Sequence, residues 1–163
     1  MVQALTRSRT LWILFALFVA ETIAFGVVMA VWDFTIIDEM YDPDKIRAHI
    51  AEMSEVQRQA HAWMTATLDV AYPLTYGALF VGMALRAFKP VFALPALLVI
   101  PTDLTEGFVQ VQAMLGNGSL IWLKAYVTPA KLILFTLAIL IVLAALVVEV
   151  RARAKAQSES QPS

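Results

Sequence analysis

Four long apolar runs dominate this chain and leave few folds open to it: about Leu11–Trp32, Ala62–Leu85, Pro90–Leu115 and Pro129–Val150. Each is close to the roughly 20 residues that a helix needs to cross a hydrocarbon layer of about 30 Å. A soluble domain is on average about 45–50% apolar. This chain is 60% hydrophobic with a mean hydropathy of +0.73, and the excess is concentrated in the four runs. In lipid every backbone polar group must be satisfied within its own segment or barrel, so runs of this length are read as helices. The expected fold is all-α: a polytopic integral membrane protein, an antiparallel four-helix transmembrane bundle forming a single membrane domain over residues 1–163.

The first run is too long for a signal-peptide core, which spans roughly 7–15 residues before a small-residue cleavage site. It carries Glu21 in its middle and lacks such a site, so it reads as a retained span. Residues 33–60 form the one sizeable polar segment. Asp42-Pro43 is an N-cap followed by a first helical residue, and Ile46, Ile50 and Met53 repeat at helical spacing. Ser54 and Gln57 fit a capping box. The segment is therefore a short helical cap, and a second helix starts near Glu55 and runs on into the membrane. Gly116-Asn117-Gly118-Ser119 is a turn, and Leu120 to Val127, with Trp122, Lys124 and Tyr126, reads as an interfacial stretch. Thr128-Pro129 then starts the fourth span. Residues 151–163, basic and then Ser/Gln-rich, read as a disordered tail. Gly77 and Gly82 mark close approaches between helices.

Basic residues assign an orientation. Arg7, Arg9, Arg86, Lys89, Arg151, Arg153 and Lys155 fall on one side, whereas the cap is rich in Asp and Glu. Both termini are expected in the cytoplasm with the cap outside, which suits a bacterial inner membrane. The net charge of −1 and the lack of a basic patch exclude nucleic acid as a partner. There is no cysteine, so disulfides, thiolate metal sites and Fe–S clusters are excluded. With only His49 and His61, both at the cap, bis-histidine haem ligation has no ligands to use. No cofactor and no metal are expected, although a carboxylate-only ion site is not distinguished by spacing alone.

The informative residues are the polar ones inside the spans. A charge at the bilayer centre costs about 2.5–3.5 kcal/mol on insertion scales, so each needs a reason. Counting about 1.5 Å per residue from the cytoplasmic ends puts Glu21 at about 15 Å, Asp103 at about 18 Å and Glu106 at about 23 Å. Asp69 comes to about 24 Å and Lys131 to about 28 Å. All four helices thus contribute to one depth band. Asp103, Glu106 and Gln110 stand at i, i+3 and i+7 and share a helix face, as do Asp69, Tyr72 and Tyr76. Pro73 and Pro101 would each free a backbone carbonyl nearby. Four carboxylates face one or two lysines, Lys131 and Lys124, so at least one acid should be neutral or hold a cation.

The layout is similar to that of small bacterial inner-membrane proteins and, in layout only, resembles the four-helix sterol isomerase-like membrane domains. No residue is carried over from either. From the residues, the leading expectation is an acidic pocket opening to the outer side that binds a small apolar or lipid-like molecule. Glu21, Asp69, Asp103 and Glu106 would be its acid/base groups, and Tyr72, Tyr76, Gln110 and Lys131 would contact the ligand. Two alternatives use the same residues: a proton- or cation-coupled transporter, and an accessory subunit in which they merely tie helices together. Beyond the lipid bilayer, a second copy or a larger membrane complex would be the partner. For Lys131 alone, at the start of its helix, the expectation is a side chain that snorkels outward.

Overall fold

The computed structural model describes residues 2–159, which are almost entirely helical, with no strand among them. Met1 and residues 160–163, the end of the expected tail, lie outside that range. Six α-helices follow one another: α1 (Val2–Leu5), α2 (Ser8–Trp32), α3 (Pro43–Glu52), α4 (Glu55–Ala87), α5 (Leu94–Met114) and α6 (Lys124–Glu159). Short 3₁₀ stretches, Pro90–Ala93 and Gly118–Leu123, lead into α5 and α6. Four helical segments are long and apolar enough to cross a membrane: Ser8–Trp32, Glu55–Ala87, Pro90–Met114 and Gly118–Ser158.

The cap forms as its end signals dictate. The Asp42 carboxylate accepts from the backbone N–H groups of Asp44 and Lys45, with Pro43 at the first helical position. Ser54 and Gln57 make the reciprocal capping box that starts α4. Gln57 also donates to the Asp33 carbonyl at 2.5 Å, which fastens the end of α2 to the start of α4. Asp33 itself adopts the left-handed conformation (φ 49°), which Asp tolerates better than most residues.

Helix α4 is the central post: it packs on α2, α5 and α6, and α5 packs in turn on α6. Two apolar clusters fill the interior. At the end that carries the termini, Leu11, Phe80, Val81, Ala84 and Val99 pack together. At the cap end, the fully buried Ile37 and Ile46 join Met64, Met114 and Ile121, so the cap is seated on the bundle rather than hanging from it. Glycines set the closest contacts. A Cβ at Gly77 would lie 2.5 Å from the Ile100 side chain, and one at Gly82 would lie 2.7 Å from the Leu5 carbonyl oxygen.

Two boundaries differ from the sequence reading. The fourth long helix begins at Lys124, not at Pro129. Proline inside a helix removes one backbone bond, but Lys124 and Thr128 are anchored by tertiary contacts described below, and these hold the extra turn in place. The helix also continues to Glu159, through residues 151–159 that composition assigns to a disordered tail. Ala, Arg, Lys and Gln are good helix formers, and extending an existing helix avoids the nucleation cost.

Candidate functional site

Three helices each present a row of polar side chains to the same part of the interior. On α5 the row is Asp103, Glu106 and Gln110, at i, i+3 and i+7. On α6 it is Lys124, Thr128 and Lys131, at i, i+4 and i+7. On α4 it is His61, Thr65 and Asp69, at i, i+4 and i+8, with Tyr76 two turns further on. All ten side chains are buried. Because residues three or four apart share a helix face, each row follows directly from spacing.

The α5 and α6 rows interlock as charges. Glu106, wholly inaccessible, is gripped from several sides: the Lys124 ammonium donates to Oε1 at 2.7 Å, the Thr128 hydroxyl donates to the same oxygen, and Lys131 pairs with Oε2. Lys124 also donates to the Ile37 carbonyl at 2.8 Å. The Lys131 nitrogen lies 3.2 Å from Asp103 Oδ1 and 3.6 Å from Asp38 Oδ2. On its other side Asp103 accepts from the Tyr76 hydroxyl at 2.7 Å. One network therefore joins α4, α5, α6 and the cap loop. Lysine nitrogens stand between the acids, and among the described residues no three His, Asp or Glu side chains group as a metal centre.

The α4 row is bonded differently. Asp69 makes no ion pair or hydrogen bond among the described residues, although it is buried and lies within the fields of Asp38, Asp103, Glu106 and Lys131. It fits against α5 because Gly107 has no side chain: a Cβ there would lie 3.3 Å from Asp69 Oδ2 and 3.4 Å from Thr65 Cγ2. Pro73, buried on the next turn, lacks the N–H that would bond the Asp69 carbonyl. On α5 both ends of the Gln110 amide are buried without a hydrogen-bond partner. His61 is hydrogen-bonded through Nδ1 to Thr65 Oγ1 at 3.3 Å, while its Nε2 is buried and unpartnered. Buried polar groups are nearly always paired, so the Gln110 amide and His61 Nε2 are exceptions within this bundle.

The residues singled out in the sequence are thus divided. Asp69, Asp103, Glu106, Tyr76 and Lys131 come together, and Gln110 follows Glu106 one turn further along α5, buried but bonded to none of them. Glu21 does not: it faces α4 from α2, accepting from the Thr75 hydroxyl at 3.0 Å, with its other oxygen buried and unpartnered. Tyr72 is a neighbour rather than a member, half-buried between Phe18, Phe25 and Tyr76, with its hydroxyl 3.2 Å from that of Thr22. Lys131 turns inward onto carboxylates, contrary to the expectation that it snorkels. Its position at a helix start indicates depth but not azimuth, and three acids lie on its side of the bundle. Pro101 is exposed and contributes nothing to the cluster, whereas Pro73 is buried beside it.

Lys124, Thr128 and Asp38 join the site without being marked by sequence pattern as its members. The first two stand at i and i+4 to Lys131 at i+7, a spacing that becomes visible only with a helix beginning at Lys124. Asp38 has no such spacing, because it reaches the site from a loop. With it, four carboxyl groups (Asp38, Asp69, Asp103, Glu106) surround two lysines, so the imbalance expected from the sequence persists with a different membership.

Two clefts open at the cap end, of about 460 Å³ beside Arg47, Arg58 and Met114 and about 240 Å³ beside Asp33, His49 and Gln57. Neither is lined by an acid of the cluster, which lies beneath the cap segment around Ile37. No family model matches this chain, and neither the curated proteins nor the solved structures contain a match to it.

Proposed function

We propose that the four long helices insert as an antiparallel bundle, with both termini cytoplasmic and the cap on the outer face of a bacterial inner membrane. The weak packing requirement of α2 and α6, which expose Trp12, Ile13, Ile23, Ile133 and Leu140, supports insertion: such side chains suit contact with lipid. The basic residues at the terminus-bearing end support the orientation.

Within that bundle we propose an acid/base site for a small, apolar or lipid-like molecule, admitted from the outer side when the Ile37–Asp38 segment moves aside. The observation that carries this reading is Asp69, buried against α5 at Gly107 with no hydrogen bond or ion pair among the described residues, in a bundle that also leaves the Gln110 amide and His61 Nε2 without partners. Asp69 would exchange a proton with the bound molecule, and Gln110 would orient it. Asp103, held by Tyr76 and Lys131, and Glu106, enclosed by Lys124, Thr128 and Lys131, would fix the electrostatic surroundings rather than react. Groups with perturbed surroundings in a buried cluster are the usual candidates for such chemistry.

The test is mass spectrometry of small molecules retained by the full chain after transfer to lipid nanodiscs of defined composition. Wild type should retain a species absent from the added lipid, and Asp69→Asn and Gln110→Leu should lose it without losing thermal stability. Retention of nothing beyond the added lipid would contradict the reading. One observation favours proton-coupled transport as a second reading: buried polar groups follow one another along α4 from His61 through Thr65 to Asp69. Proton flux into dye-loaded vesicles, abolished in Asp69→Asn, would support that alternative.

A further inference from the structure

The larger cleft at the cap end, of about 460 Å³, has no part in the acid/base reading. Its walls come from α3, from the first turn of α4, and from the turn that joins α5 to α6. The buried lining is apolar, supplied by Ala113, Met114 and Ile121. The more exposed lining is charged, with Arg47 from α3 and Glu55 and Arg58 from α4. A pocket with an apolar base and a few charged groups suits a ligand of the same two-part character.

The charged groups keep bonding capacity for such a ligand. Arg58 pairs with Glu55, three residues before it, and its Nη1 donates to the Met53 carbonyl at 3.2 Å. Gln59 donates to the other Glu55 oxygen at 2.8 Å. Arg47 meets Asp44 through Nη1 at 2.9 Å, in an exposed ion pair of a kind that contributes little. A guanidinium carries five N–H groups in a planar fork, so both arginines have donors beyond these bonds. That fork matches the oxygens of a phosphate. Each oxygen of the Glu55 carboxylate has two lone pairs and can accept a second time.

We propose that this cleft binds the headgroup of a phospholipid carrying both a phosphate and a primary ammonium, a phosphatidylethanolamine. The phosphate lies between Arg47 and Arg58, the ammonium on Glu55, and the start of an acyl chain along the exposed Leu115. The proposal rests on membrane insertion of the bundle and not on the acid/base site. Two features put the cleft at headgroup level. Trp122 and Tyr126, exposed and in edge contact at 6.4 Å, stand just beyond Ile121 of the cleft wall. Indole and phenol rings collect at the membrane–water boundary. Leu115 caps the end of α5, so the wall passes from an apolar span to a polar turn at this point. A choline headgroup has no N–H to give Glu55, and a glycerol headgroup has no cation, so the carboxylate selects the ammonium.

The test is native mass spectrometry of the full chain in detergent, titrated with dioleoyl phosphatidylethanolamine, phosphatidylcholine or phosphatidylglycerol. Wild type should retain one ethanolamine lipid at about a tenfold lower concentration than either of the others, the equivalent of one charge-assisted hydrogen bond. Arg47→Gln loses only the exposed pair with Asp44 among the described contacts, so it should fold normally and need about tenfold more lipid. Glu55→Gln should retain the ethanolamine and choline lipids alike. Equal retention of the three lipids by wild type, or a preference for either of the others, would overturn the site. So would wild-type retention by Arg47→Gln. Competition by glycerophosphoethanolamine as strong as by the lipid would overturn it too, because the ligand would then be a soluble phosphate ester. Release of the chain from phosphatidylcholine vesicles by alkaline carbonate would overturn the insertion reading itself. A chain that resists carbonate yet shows no lipid preference overturns the headgroup site alone.

Discussion

Helix α5 borders two seams of opposite character. Toward α6, Asp103 and Glu106 are met by Lys131, Lys124 and Thr128, so every charge has a counterpart. Toward α4, apart from the bond between Tyr76 and Asp103, the polar groups cross the seam without pairing: among the described residues Asp69 makes no hydrogen bond or ion pair, and the Gln110 amide is buried without a partner. Both seams are equally buried. Burial of polar groups is therefore not what distinguishes a tie from a site in this protein; completeness of pairing is. The α6 seam has the features of a fastening between helices and cap, since a buried pair loses several kcal/mol when one partner is removed. The α4 seam has little to lose structurally and much to offer a proton or a ligand.

Lys124→Met gives the largest expected effect on this contrast. It leaves Glu106 with one lysine fewer in a fully buried place and should destabilise the fold by about 3–5 kcal/mol, seen as poor accumulation in the membrane and a lowered unfolding temperature in detergent. Gly107→Ala breaks the other seam by sterics. Its Cβ meets Asp69 Oδ2 and Thr65 Cγ2 at 3.3 and 3.4 Å, so a cost of about 1 kcal/mol, the low end for overpacking, is expected. Ligand retention should be lost along with it, in the nanodisc assay described above. Tyr76→Phe removes the hydrogen bond that α4 donates to Asp103. Asp103 keeps Lys131, so the cost should be about 0.6 kcal/mol, the average for such bonds in a membrane bundle, measured by equilibrium unfolding.

Much of this arrangement was readable from residue types and spacing. The row Asp103, Glu106, Gln110 was plain because helical periodicity fixes a shared face whatever the helix packs against. The capping signals Asp42-Pro43 and Ser54/Gln57 placed α3 and the start of α4 because they are local. What failed was azimuth. Depth counting grouped Glu21 with Asp69, Asp103 and Glu106, yet Glu21 turns toward Thr75 on a different side of α4. The same gap hid Lys131, whose direction depends on which helix stands next to α6. Asp38 was out of reach for another reason: a loop has no period from which to infer where its side chains point. Pro129 was a misleading signal, since tertiary anchoring of Lys124 and Thr128 outweighs the loss of one backbone bond.

The division between the two seams is tested most directly by comparing Asp69→Asn with Glu106→Gln. Both replace one buried carboxylate by its amide, and both are measured as equilibrium unfolding of the full chain in the same bilayer mimetic. Glu106→Gln should be destabilised by about 3 kcal/mol or more, because it strips two lysines of their shared counter-charge. Asp69→Asn should stay within about 1 kcal/mol of wild type, because no pair is broken. Equal losses in the two variants would contradict the account.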